Sequence, residues 1–236
     1  MTRYAIYFAP EPQSGLWTLG SSVIGYDAAT GCDVPSPEVA GMSGAHWAAL
    51  TEEPRRYGFH GTLKAPFHLA EGRTEADLLA DMARLAEGMA PVVMPRLKVA
   101  GIGRFVALIP SGPCASLSDL AAEVVRGLEA NRAPLGEADR ARRLKSPLSE
   151  RQMRYLDLYG YPYVLEEFRF HMTLTGPLDE MDREPVKDAL ARLFDETGVL
   201  EGAPVRIDAL TLFRQDRRDV RFRIVGRVPL RDPRGA

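Results

Sequence analysis

Two short stretches of the chain set a threonine two residues after a histidine: His60-Gly61-Thr62 and His171-Met172-Thr173. Imidazole ordinarily titrates near neutrality, so one ring can accept a proton while another donates one. A threonine hydroxyl can hydrogen-bond an oxygen on which charge develops. Two imidazoles flanking one phosphorus would suit in-line displacement at a phosphodiester. One ring would serve the attacking water, the other the departing oxygen, and the hydroxyls the non-bridging oxygens. That chemistry requires no metal.

The two stretches belong to an internal repeat. Phe59-His60-Gly61-Thr62-Leu63-Lys64-Ala65-Pro66-Phe67 and Phe170-His171-Met172-Thr173-Leu174-Thr175-Gly176-Pro177-Leu178 both read F-H-x-T-L-x-x-P plus a large apolar residue. A single His-x-Thr carries no signal; two in matching contexts do. Each is followed by a helical pattern and then a hairpin pattern. In an extended strand alternate side chains share a face. His60, Thr62 and Lys64 are therefore expected on one face, and His171, Thr173 and Thr175 on the equivalent one. Lys64 and Thr175 thereby join Thr62 and Thr173 as candidate phosphate ligands. The opposite faces, Phe59/Leu63 and Phe170/Met172/Leu174, are apolar and suited to packing.

The elements that must hold these strands read as an alternation. Arg3–Ala9 has strand composition and ends at Pro10. Helices are expected over Ser14–Gly25 and over Ser43–Glu53, the second stopped by Pro54. Tyr57–Leu69 reads as a strand. Thr74 with Asp77 three residues on marks a helix start, and the apolar stripe Leu78, Leu79, Met82, Leu85, Ala86 continues it to Gly88. A hairpin is expected over Arg96–Gly101 and Arg104–Ile109, then a helix capped by Ser116 or Ser118. Ala133–Pro147 is a polar, basic connector before a helix at Ser149–Tyr159. Phe168–Thr175 reads as a strand and Pro185 as near the start of a helix to about Glu196. Val205–Arg214 and Val220–Val228 close the pattern as a hairpin, with a fraying tail over Arg231–Ala236. Together these predict an α+β, bilobal fold: two pseudo-twofold-related lobes, about 1–112 and 113–230, each an antiparallel sheet with packed helices, able to exchange strands and separated by a cleft.

At this point the chain resembles the 2H phosphoesterase superfamily, which carries one His-x-Thr signature in each half. Tyr57–Phe67, Gly160-Tyr161-Pro162-Tyr163 and Phe168–Gly176 are similar to an uncharacterised bacterial branch associated with phosphonate-degradation genes. The resemblance implies two α+β lobes around a cleft, no metal or cofactor, and catalysis by His60 and His171. It implies phosphate contacts from Thr62 and Thr173, with Lys64 and Thr175 at positions where the superfamily varies. The expected activity is metal-independent hydrolysis of a small cyclic or strained phosphodiester of a sugar or nucleotide, within phosphonate catabolism. Two alternatives stand beside it: a non-catalytic phosphate or nucleotide binder, and an RNA 2′,3′-cyclic phosphodiesterase or 2′–5′ ligase-like enzyme.

Composition narrows these. Thirty basic and 32 acidic residues leave a formal charge of −2, which argues against a nucleic-acid partner held by bulk charge. No apolar run is long enough for a membrane helix, and the first residues lack the apolar core of a secretion signal. The expectation is a cytoplasmic protein. Cys32 and Cys114 are too few for a disulfide framework and lack metal-ligand spacing. Gly101-Ile102-Gly103 is not a dinucleotide fingerprint, and no nucleophile elbow occurs. His46 and His68 read as structural or surface residues. The run Arg140, Arg142, Arg143, Lys145 reads first as a solvated connector, although guanidinium groups also suit phosphate. Tyr4, Tyr7, Tyr57, Tyr161 and Tyr163 read as packing residues that could also stack on a base or sugar.

Overall fold

The computed structural model describes residues 1–39, 41–202 and 204–232. Its strands are β1 (Arg3–Phe8), β2 (Tyr26–Asp27), β3 (Cys32–Asp33), β4 (Gly61–Phe67), β5 (Val92–Val93), β6 (Leu97–Ile102), β7 (Phe105–Pro110), β8 (Met172–Thr173), β9 (Arg206–Ile207), β10 (Ala209–Gln215) and β11 (Arg223–Pro229). Its helices are α1 (Gly15–Ile24), α2 (Gly44–Leu50), α3 (Glu52–Arg55), α4 (Glu75–Ala86), α5 (Ala115–Gly127), α6 (Glu137–Arg143), α7 (Glu150–Tyr159) and α8 (Glu180–Thr197). The fold is α+β with antiparallel sheets.

Seven strands form one sheet in the order β11-β10-β1-β4-β8-β7-β6. All its pairings are antiparallel. The join between its halves is narrow: β4 meets β8 through the pair Gly61–Met172. The pairing crosses the chain halves 1–112 and 113–230. The hairpin β6–β7, which follows the first histidine strand, pairs with the second one through β8. The hairpin β10–β11, which follows the second, pairs with β1 of the first half. The two halves are thus interlocked.

Local chemistry explains most element ends. Thr74 and Asp77 close a capping box at the start of α4, and Ser149 with Gln152 does the same for α7. Ser14 caps α1, which stops at Gly25 in the left-handed region. Other expectations need correction. Pro54 does not stop a helix; it lies in the first turn of α3, where its missing donor removes no helical bond. Helix α8 begins at Glu180, five residues before Pro185, which sits inside it. The start of α5 follows Cys114, with no side-chain cap from Ser116 or Ser118. The connector expected over 133–147 contains α6. The strand expected over Phe168–Thr175 contracts to Met172–Thr173. Part of the tail at Arg231–Ala236 lies outside the described residues.

The core runs on both sides of the sheet's centre. Phe59 is fully buried against Gly20 of α1, where a Cβ would lie 2.2 Å from its ring. Phe170 packs over Gly61, where a Cβ would lie 2.4 Å from the ring. The residue before each histidine thus anchors its strand on the face opposite the imidazole. No helix among the described residues is long and apolar enough to cross a membrane.

Candidate active site

The site is built from the Gly61–Met172 pair. Stepping outward from it in the antiparallel sense sets His60 opposite Thr173, and Thr62 opposite His171. Side chains of directly opposed residues share a face, with Cβ atoms about 4.5–5.5 Å apart, and diagonal neighbours stand at about 7–8 Å. The two histidines are such a diagonal pair. One face at the middle of the sheet therefore carries both imidazoles and both hydroxyls.

Backbone geometry repeats around the rings. His60 Nδ1 lies 2.8 Å from the Gly58 carbonyl oxygen, and His171 Nδ1 lies 2.8 Å from that of Arg169. A carbonyl only accepts, so each Nδ1 carries the proton and each neutral ring keeps its lone pair on Nε2. Thr62 Oγ1 lies 3.2 Å from His60 Nε2, so the hydroxyl donates to that lone pair. Tyr7, fully buried on β1, stacks on the His60 ring with centroids 3.7 Å apart and planes inclined by 21°. Phe105 tilts against His171 at 5.6 Å. Burial pushes His60 down to about 4 from 6.5, with a smaller lowering from the nearby His171 charge, against the Gly58 bond. Burial also lowers His171, against the Arg169 bond. Burial thus favours the neutral form of both rings.

A cavity of about 800 Å³ has Thr62, His171, Arg169, Tyr161 and Tyr163 among its walls, while His60 and Thr173 are not among them. His60 adjoins it through the Thr62 hydroxyl. Thr173 pairs with Ala107 of β7, beside His60. A second cavity of about 440 Å³ shares Ala65, Tyr161 and Val164 with the first and is strongly basic.

Lys64 and Thr175 do not join the group. The β1–β4 register pairs Tyr7 with Thr62 but Ile6 with Lys64, an irregularity of one extra residue. The bulge turns Lys64 to the face opposite Thr62. Its ammonium is buried and donates to Glu129 Oε2 at 2.7 Å and to the Val125 carbonyl at 2.9 Å. Thr175 is fully buried; its Oγ1 accepts from the Val106 amide and donates to the Gly176 carbonyl. It fixes the turn after β8.

Sequence reading missed Arg3, which stands beside the site. Its signal was present, since Arg3, Ala5 and Tyr7 alternate onto one face of β1. His46 is exposed on α2, and His68 donates to the Thr2 carbonyl. No cluster of three or more His, Cys, Asp or Glu able to hold a metal occurs among the described residues.

These features define an α+β protein whose two histidine–threonine segments meet at the centre of one antiparallel sheet. The family described as "Protein of unknown function (DUF1045)" matches residues 62–223, and the chain belongs to it. Two curated relatives are named ribose 1,5-bisphosphate phosphokinase PhnN. The one from Janthinobacterium sp. (strain Marseille) is 36% identical over 219 residues, covering 92% of this chain and 48% of that protein. The one from Laribacter hongkongensis (strain HLHK9) is 36% identical over 223 residues, covering 94% and 50%. The chain thus spans about half the length of these relatives. Among solved structures it is similar to E. coli LigT complexed with 3′-AMP, with TM-score 0.43, 14% identity and coverage of 97% and 98% of the two chains. It is also similar to a structure described as a phosphoesterase, with TM-score 0.41, 14% identity and coverage of 98% and 100%.

Proposed function

We propose that this chain hydrolyses a small cyclic phosphodiester by two-histidine acid–base catalysis. The observation that carries the reading is the Gly61–Met172 register, which puts His60, Thr62, His171 and Thr173 on one face. The substrate's phosphate would enter between the imidazoles and take the Thr62 hydroxyl as a donor, freeing His60 Nε2. That lone pair would accept a proton from water as the water oxygen bonds to phosphorus. The bond from phosphorus to the ester oxygen breaks, and that oxygen takes a proton from His171 Nε2. Charge on the bound phosphate favours the imidazolium that His171 needs for this role. The product is a phosphate monoester bearing a newly freed hydroxyl.

The relatives' name supports a substrate class. This chain has no Gly-x-x-x-x-Gly-Lys-Ser/Thr phosphate loop, so we assign nucleotide-dependent kinase chemistry to the half of those proteins that it does not match. Opening a ribose cyclic phosphate frees a phosphate monoester on the sugar, a group that the ribose 1,5-bisphosphate of the relatives' name carries, so such an opening would precede a kinase step. A place in phosphonate catabolism, implied by the branch resemblance, is compatible with that order of steps.

Phosphorus NMR of cyclic nucleotides and ribosyl cyclic phosphates tests the reading. The cyclic signal should convert to a monoester signal with the wild-type protein. It should persist with the His60→Ala/His171→Ala variant and be indifferent to chelator. Binding without conversion across the panel would instead indicate a non-catalytic phosphate binder.

A further inference from the structure

We infer that the basic cavity beside the histidines is a subsite for a second phosphate group, so that the substrate is a small molecule carrying a terminal phosphate monoester besides its reacting diester. The inference rests on the reading above for the word substrate, but the subsite itself stands on separate residues.

The chain as a whole is slightly acidic, at −2. Yet the cavity of about 440 Å³ is walled by Arg3, Arg142, Arg143, Lys145 and Arg218 against a single carboxylate, Asp139. That carboxylate is already shared between Arg142 and Arg218. Among the described residues Arg3 has only a neutral partner: its Nε donates to Gln215 Oε1 at 2.8 Å, and its guanidinium lies 5.4 Å from the Phe222 ring. Arg143 lies over the Tyr161 ring at 4.7 Å. Neither Arg143 nor Lys145 has an ion-pair partner among the described residues. The other cations on the wall are satisfied elsewhere: Lys64 and Arg132 by Glu129, and Arg56 by Glu52.

Collecting like charges in a recess is unfavourable unless an anion enters to compensate them. The Arg3 guanidinium is held below its ordinary affinity for protons by burial, then by Arg218. Planar guanidinium forks match the tetrahedral oxygens of phosphate.

Position gives the recess its meaning. Tyr57 lies on its wall, and its ring centroid is 6.3 Å from that of His60. Tyr161 lines both cavities. A molecule with its diester at the imidazoles can therefore direct a second anionic group past Tyr57 and Tyr161 into the basic recess.

The test compares adenosine 2′,3′-cyclic phosphate with the same compound carrying a 5′-phosphate. Wild-type protein should prefer the 5′-phosphorylated form in kcat/KM by about ten- to hundredfold, the scale of one or two charge-assisted hydrogen bonds. In Arg143→Gln/Lys145→Gln the preference should fall toward one, with the thermal midpoint recorded as a folding control. Equal kcat/KM for the two compounds in wild type would overturn the subsite while leaving the esterase reading intact. If neither is hydrolysed, calorimetry with ribose 5-phosphate separates the questions. Binding weakened at least about tenfold by the double variant would support the subsite alone; binding absent or equal in both proteins would overturn it.

Discussion

His60 and His171 begin the same pattern of residues and make the same bond, from Nδ1 to the carbonyl two residues earlier. Their surroundings differ. His60 precedes a seven-residue strand, lies against Tyr7, and receives the Thr62 hydroxyl. His171 precedes a two-residue strand, meets Phe105 at a tilt, and lines the larger cavity. The motif itself fixes which nitrogen holds the proton, because that depends on a local turn. The neighbours fix how tightly a second proton is held. Two copies of one signature can in this way be divided between accepting and donating roles without any change in the signature.

The sharpest way to break this comparison is to remove each ring. His60→Ala and His171→Ala should each lower kcat by about 10²–10⁴-fold, the usual worth of acid–base catalysis, and the double variant should fall far short of the product of the two. Steady-state kinetics on a cyclic phosphate checks this. Equal, near-normal turnover in both single variants would remove the catalytic reading.

A second comparison concerns the residues between histidine and threonine, which face each other across the sheet. Gly61→Ala puts a methyl into the Phe170 ring, and overpacking of this kind costs about 1–3 kcal/mol. Met172→Leu conserves volume at its buried partner and should cost less than about 1.5 kcal/mol. Chemical denaturation of the two variants gives both values.

Thr62 and Thr175 offer a third. Thr175→Val strands the Val106 amide and should destabilise by about 1–3 kcal/mol, with little change in pH dependence. Thr62→Val should leave stability nearly intact while reducing turnover. The pair would lose its meaning if stability fell in the Thr62 variant and activity alone in the Thr175 variant.

The smallest effects are in titration. The unfolded chain protonates the residue-60 imidazole near pH 6.5, whereas the folded protein resists until about 4. Between those values the unfolded state binds more protons, so the His60 contribution to stability is lost as pH falls through that window and is constant above it. Proton NMR should show His60 titrating below the ordinary histidine range, and Tyr7→Ala should move it back toward 6.5 by opening the ring to water.

Much of this arrangement was readable in residue order. Thr74 with Asp77 announces its helix start because caps are local chemistry. The paired Phe-His-x-Thr runs announce a shared face because strand alternation is equally local. What was not readable depends on partners distant in the chain. The extra residue between Thr62 and Lys64 is visible only against β1, and it turns the lysine away from the threonine. The contraction of the second strand follows from its narrow contact with β4 at one pair. The basic connector reads as solvated because its charges have no neighbours in sequence that would make a recess; Arg3 supplies one from more than 130 residues away.

The exchange of hairpins also governs how such a chain comes into being. Arg3 of β1 pairs with Gln215 of β10, 212 positions later. As the protein emerges from the ribosome, β1 stays one partner short until β10 has been made. Closing so long a loop carries an entropic penalty that the contacts recover only afterwards. A polypeptide interrupted after the first histidine would therefore lack both β8, which pairs with β4 beside that histidine, and β10, which pairs with β1.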